Sequence, residues 1–170
     1  MDITEHILFQ HHEQRRAFAL LDEMERADAR ALAAVWGRLK VLLEVHADAE
    51  ERFFYPRLLK IGKGAADAES VVEETEDAIK DHNEIRDAIR KADAHEVGTG
   101  DWWAAVTGAR IANDDHMAEE ERQDLADFRL HADLQTRHEI ALQFVAYENE
   151  HSYGVELVDK DPEKYVEENL

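Results

Sequence analysis

The sequence predicts an all-α protein: an up-down four-helix bundle built from two repeated helical hairpins, with a C-terminal helical extension. Three observations predict it. Two prolines, seven glycines and no sustained polar-apolar alternation leave little room for strands, whereas apolar residues recur at helical spacing through long stretches. The halves also repeat. A shift of 70 superposes His46 on His116, Glu50 on Glu120, Glu51 on Glu121 and Arg52 on Arg122, and a shift of 71 superposes His11 on His82, Arg15 on Arg86, Ala17 on Ala88 and Phe18 on Ile89. Two hairpins of one plan imply approximate twofold symmetry, with matching groups facing each other between the halves.

In chain order, Asp2 with Glu5 three residues on is a cap for a first helix to about Arg26, striped by Ile3, Ile7, Phe18 and Leu21. His11 falls inside that stripe and His12 nearer its edge. A second helix, from about Arg30 to Leu59, aligns Leu32, Val35, Leu39, Leu42, Leu43, His46, Glu50 and Phe53, with Pro56 marking a kink or an approaching end. Ile61-Gly62-Lys63-Gly64 reads as a stop and loop. A third helix, from about Asp67 to Ala94, carries Val72, Ala78, Ile79, Ile85 and Ile89, and His82 lies among them.

The break Val97-Gly98-Thr99-Gly100-Asp101 ends in Asp101, read as the cap of a fourth helix from about Trp102 to Leu130. That helix aligns Trp102, Ala105, Val106, Ala109, Ala112, His116 and Glu120. A fifth helix, Ala132 to Glu150, would turn Leu134, His138, Ala141 and Val145 inward, and the remainder is an acidic tail with one short helical turn. The expected organisation is therefore a bundle over residues 1–130 and a C-terminal helix and tail over 131–170. The latter packs on the bundle or on another subunit, which leaves a homo-oligomer open.

The 170 residues are enough for one hydrophobic core burying roughly 70% of the unfolded surface. A formal net charge of −20, from 40 acidic and 20 basic residues, argues against nucleic acid or an anionic membrane as partner and favours cations. Cysteine is absent, which removes disulfides and thiolate ligands from consideration. The first residues lack a basic start followed by an apolar run, and no window approaches a transmembrane span, so the expected address is cytoplasmic. Charge runs such as Glu73-Glu74-Thr75-Glu76-Asp77 read as outer helix faces.

The chemistry lies with the acids and histidines on inner faces. His46 and Glu50, like His116 and Glu120, stand four apart and leave one helix face a turn apart. Buried imidazole and carboxylate need partners, because an unpaired buried charge costs several kcal/mol or shifts its pKa, and a bound metal ion supplies one. With His11 and His82, the inward candidates are His11, His46, Glu50, His82, His116 and Glu120. Mixed nitrogen and oxygen ligands suit iron, manganese or zinc, and six ligands exceed what a single tetrahedral zinc uses. Two ions roughly 3.5 to 4 Å apart fit better, bridged by glutamates and with room for a bridging oxo or hydroxo group.

His11, His46-xxx-Glu50, His82 and His116-xxx-Glu120, with a glutamate pair in each second helix and Phe54-Tyr55-Pro56 closing one of them, resemble the hemerythrin-like HHE cation-binding domain over about residues 3 to 128. The resemblance implies a four-helix bundle holding a non-haem di-iron centre. Its members bind or reduce oxygen, handle peroxide or nitric oxide, or sense iron. This chain departs from the oxygen-carrier pattern twice: Arg86 stands where carriers have a second third-helix histidine, and Glu120 at four-residue spacing replaces an aspartate at five. The departures shift weight from reversible carriage toward oxidase-like, peroxidase-like or iron-handling chemistry. A non-catalytic iron or oxygen sensor and a metal-free helical interaction module are the alternatives.

Among the remaining groups, His11 is preferred to His12 because it lies on the stripe and mirrors His82. His138 could supply a missing ligand if the fifth helix covers the bundle end, though a lone histidine there is more often a hydrogen-bonded core residue. Tyr55 reads as packing with a hydrogen bond to the site in reach. Arg15 and Arg86 are expected to pair with acids across the bundle. Glu51 and Glu121, about a hundred degrees off the stripe, suit either a supporting contact or solvent.

Overall fold

A computed structural model describes residues 1–66 and 70–170. The described residues contain eight α-helices, one π-helical turn and no strand: α1 (Ile3–Glu23), α2 (Ala29–Ala49), the π turn (Glu50–Phe54), α3 (Tyr55–Ile61), α4 (Val71–Asp93), α5 (Gly100–Arg122), α6 (Asp124–His131), α7 (Leu134–Glu150) and α8 (Pro162–Asn169). None of them is long and apolar enough to cross a membrane.

Six of the helix starts carry a capping side chain; α3 and α6, which follow the π turn and Gln123, have none. Asp2 accepts from the Thr4 N–H, as expected, and Asp28, Ser70, Asp133 and Asp161 cap α2, α4, α7 and α8. Thr99, not Asp101, caps α5, so Asp101 falls in the first turn. The first helix ends at Glu23, short of Arg26. The expected start of the third helix at Asp67 lies outside the described residues. The expected fourth helix is interrupted at Gln123, where a backbone ψ of −77° breaks α5 from α6.

The second helix does not stop at Pro56. Proline lacks an N–H and its ring would crowd the carbonyl of residue 52 in a regular helix. The backbone instead widens beforehand: the Tyr55 N–H reaches the carbonyl of Glu50, five residues back, and Pro56 sits in the first turn of α3. The widening begins at a candidate metal ligand.

The bundle is layered. One apolar cluster holds Ile3, Ile7, Phe54, Tyr55, Leu58, Ile79, Leu125 and Phe128, and a second holds Phe18, Leu21, Leu39, Leu43, Ile85, Ile89, Trp102 and Val106. Each long helix runs from one cluster to the other, and its histidine lies at the crossing: His11 between Ile7 and Phe18, His46 between Leu43 and Phe54, His82 between Ile79 and Ile85, His116 between Val106 and Leu125. The direction alternates from helix to helix, which is the up-down topology. Trp36, Trp102 and Trp103 pack at the second cluster, with the Trp36 Nε1–H donated to Asp93.

The C-terminal helices pack on the same chain, α7 against α1 and α2, α8 against α4 and α3. The inward face of α7 is Ile140, Ala141 and Phe144; Leu134, expected inside, is 71% exposed. His138 meets the N-terminal Met1 rather than the histidine layer.

Candidate metal centre

All six expected residues are buried in the polar layer, at 0–4% exposure. His11 faces inward and its neighbour His12 faces solvent. Ligand atoms of His11, His46, Glu50 and Glu120 lie within 4.8 Å of one another, and so do those of Glu50, His82 and His116. Glu50 belongs to both groups. Its Oε1 is 2.9 Å from Nε2 of His46, and its Oε2 is 3.3 Å from Nε2 of His82. One carboxylate thus turns an oxygen toward each half of the bundle.

Glu120 differs. Its Oε2 lies 3.1 Å from Nε2 of His11, while its Oε1 accepts a 2.9 Å hydrogen bond from the Tyr55 hydroxyl. Tyr55 is fully buried, and burial together with the carboxylates of Glu120, Asp124 and Glu50 pushes its pKa well up. It holds its proton at Oη beside the site.

Nε2 of each histidine points inward and Nδ1 outward, where other groups hold it. His11 Nδ1 donates to Glu121 at 2.9 Å, and Glu121 also accepts from Arg15. His82 Nδ1 donates to Glu51 at 2.8 Å, and Glu51 also accepts from Arg86 at 2.6 Å and from Lys160. His46 Nδ1 donates to the Gln10 amide oxygen at 2.5 Å, and the Gln10 amide nitrogen donates to Glu148 of α7. His116 Nδ1 stands 3.6 Å from Asp81. Because these partners accept, each bonded Nδ1 carries a proton, and Nε2 is the ring position from which a cation would displace a proton to be bound.

The two halves therefore repeat in their supporting contacts as well as in their candidate ligands. Glu51 is 2% exposed, so the solvent alternative for it is excluded. In a regular helix Glu50 and Glu51 would point about a hundred degrees apart; in the π turn both are buried. Arg86, at the position of the carriers' extra histidine, turns to Glu51 and leaves the second group with three members.

Charge balance shows the same division. Burial disfavours charge on His11, yet the carboxylates of Glu120 and Glu121 outweigh it and hold the ring at a pKa of about 9; Glu50 and Glu51 hold His82 at about 9 likewise. Burial raises Glu51 and Glu121, but His82 and Arg86 bring the first, and His11 and Arg15 the second, down to about 2. Despite these contacts, His11 Nε2, His46 Nε2, both Glu50 oxygens and Glu120 Oε2 are buried without a hydrogen-bond partner. Orphaned nitrogen and oxygen acceptors converging in a dry layer are the donor set a metal ion completes, so the residues present fit one.

Sequence reasoning missed Gln10, Glu148 and Lys160. Nothing in the local pattern marks them: Lys160 comes from the segment before α8, and Glu148 from the partly exposed side of α7.

The family model of the hemerythrin HHE cation binding domain matches residues 2–128. Neither the curated proteins nor the solved structures searched include a match to the chain.

Proposed function

The chain belongs to the hemerythrin HHE cation-binding family, and from that premise we propose that it holds two iron ions between its hairpins and acts on dioxygen, peroxide or nitric oxide as an oxidase- or peroxidase-like protein. The observation that carries this reading is the division of Glu50, one oxygen toward His46 and one toward His82. His11, His46, Glu50 and Glu120 would hold one ion, and Glu50, His82 and His116 the other. Glu50 would serve both, whereas Glu120, first expected as a second bridge, turns one oxygen toward His11 and the other to Tyr55. Manganese or zinc would meet the same donors.

Bound iron would supply redox chemistry toward small oxygen-containing molecules. The chain supplies the rest. The outer partners of His11, His82 and His46 keep each ring's Nε2 directed inward, so little reorganisation accompanies binding. The second group has three members against four in the first, so an ion held there would meet fewer protein ligands. Tyr55 Oη carries a proton within reach of Glu120, where it can steady charge developing on that carboxylate. The apolar clusters on either side keep bulk water out, which strengthens every electrostatic contact in the layer. The two large clefts, of about 460 and 500 Å³, are lined by none of the six residues, which favours small substrates over organic ones.

A second reading, an iron or oxygen sensor without turnover, is favoured by one feature: Lys160 links Glu51, and through it His82, to the C-terminal segment. Ligand binding would then be transmitted to α8.

Elemental analysis of aerobically purified protein tests the shared core of both readings. Two irons per chain with a visible absorption band are expected; His46→Ala and His116→Ala should each lower the metal content, and His95→Ala, at an exposed position, should not. Equal behaviour of all three variants, or metal-free protein, would sink the assignment. Peroxide consumption or substrate oxidation then separates the enzyme from the sensor, for which metal shifts melting without turnover.

A further inference from the structure

Between α4 and the α5–α6 corner a narrow crevice runs down to the histidine layer, lined by Glu74, Asp77, Asp81, Glu119 and Asp124, with His116 and Glu120 at its inner end. We propose that this crevice is the route by which a divalent cation enters, with Asp77, Asp81 and Glu119 as an outer loading station. The proposal rests on the metal-binding reading above and adds to it where the ion comes in.

The sequence places these groups together by helical spacing. Glu74, Asp77 and Asp81 are three and four apart and share one face of α4; Glu119 and Glu120 follow His116 by three and four on α5. Their exposure falls with depth: Asp77 and Glu119 face solvent, Asp81 is half-buried, and Asp124 and Glu74 are buried at 3% and 2%. The run Glu73-Glu74-Thr75-Glu76-Asp77 is therefore not wholly an outer face, as its charge suggests, because Glu74 turns in. Its Oε1 accepts from the Ala65 N–H, and its carboxyl lies against that of Asp127. At the inner end of the crevice Oε2 of Glu120 is buried with no hydrogen-bond partner, and a cation is the natural partner of such an oxygen.

Size and charge narrow the traveller. The crevice encloses about 10 Å³, the room of one water-sized sphere, so an organic substrate does not fit. Among the described residues no Lys or Arg lines it. Asp77, Asp81 and Glu119, along the outer part of the slot, concentrate positive ions at the mouth and repel anions. Asp81, 3.6 Å from Nδ1 of His116, joins the outer acids to the inner layer.

The test follows Fe(II) uptake by the full-length apo-protein under anaerobic conditions, comparing wild type with Asp77→Asn/Glu119→Gln. Both substituted side chains face solvent, so folding is preserved. The expected result is a loading rate lower by roughly 5- to 10-fold at low ionic strength, with final metal content per chain unchanged. Added salt should slow the wild type and leave the variant nearly unaffected. A control, Glu23→Gln/Glu25→Gln, removes the same charge at the far end of the bundle and should load at the wild-type rate. Equal rates for wild type and the crevice variant, or equal slowing by the control, overturn the route while leaving the metal centre intact. Failure of the wild type to bind any metal overturns the centre and the route together.

Discussion

Oε1 of Glu51 lies 2.8 Å from Nδ1 of His82, so the residue next to one proposed ligand fixes the orientation of another on a different helix. Within the π turn two consecutive glutamates are buried, Glu50 for the shared position and Glu51 for the support behind it. Glu121 and His11 repeat the arrangement at 2.9 Å in the other half.

Glu51→Gln should therefore weaken metal binding without abolishing the fold. The amide keeps an oxygen for the His82 N–H but loses the charge that Arg86 and Lys160 neutralise. Metal affinity measured by competition with a chromophoric chelator is expected to fall roughly 10- to 100-fold. Unchanged affinity would show that Glu51 serves only the Arg86 ion pair.

Glu50→Gln and Glu120→Gln should differ in stoichiometry. Glu50 stands in both groups and Glu120 in one, so the first substitution should reduce occupancy of both sites and the second mainly that of the His11–His46 side. Metal per chain, read by mass spectrometry after desalting, checks it; identical losses would contradict a single shared carboxylate.

Lys160→Met should perturb the second site from outside the family-matched region. The Lys160 ammonium contacts Glu51, whose main-chain carbonyl also accepts from the Tyr165 hydroxyl of α8 at 2.5 Å. A shift in the visible spectrum of the iron-loaded protein is expected, with Lys160→Arg restoring the wild-type spectrum. A spectrum insensitive to both substitutions would confine Lys160 to anchoring the tail.

Metal removal should lower stability. With free metal at about 100 times Kd, binding stabilises the native state by about 2.7 kcal/mol, which for a chain of this length is about 5 to 10 °C in Tm. Melting curves with and without chelator measure it, and His46→Ala should show a smaller difference than wild type.

Glu74 predicts a pH dependence in the metal-free protein. Burial is the main cause that raises its pKa from 4.5 to about 7; the Ala65 N–H lowers it, and Asp127 raises it further. A raised carboxyl pKa means that the folded state binds this proton more tightly than the unfolded state does. The group's contribution therefore falls as pH rises from 4.5 to 7 and is level above that. Glu74→Gln cannot ionise, so its Tm relative to wild type should climb between pH 5 and pH 8 in chelator. A gap independent of pH would show that Glu74 titrates alike in both states.

The helical class, the two hairpins and the six inward histidines and glutamates were legible in the sequence, because helical periodicity and internal repetition are local properties of the chain. His11 could be told from His12 by its place on the stripe. What surrounds those residues was legible only in part: Arg15 and Arg86 pair with acids across the bundle and Tyr55 donates to Glu120, as expected, but the choice between support and solvent for Glu51 was not. Glu51 is buried where Lys160 and Tyr165 of the C-terminal segment meet it, and a supporting glutamate is fixed only when another helix brings a histidine against it. Thr99 displaced Asp101 as a cap, and α7 turned Phe144 inward rather than Leu134, since small rotations about a helix axis are decided by packing.

Taken by itself, the sequence determined that the four histidines and two glutamates of the repeated hairpins enter the interior, since amphipathic spacing sets the buried face before any partner arrives. The tertiary structure alone decided how they divide: that Glu50 faces both halves, that Tyr55 takes one oxygen of Glu120, and that Gln10, Glu148 and Lys160 stand behind the histidines. Those relations join residues as many as 138 positions apart. Distance and direction between such residues arise when four helices pack at one register, and no local pattern encodes them.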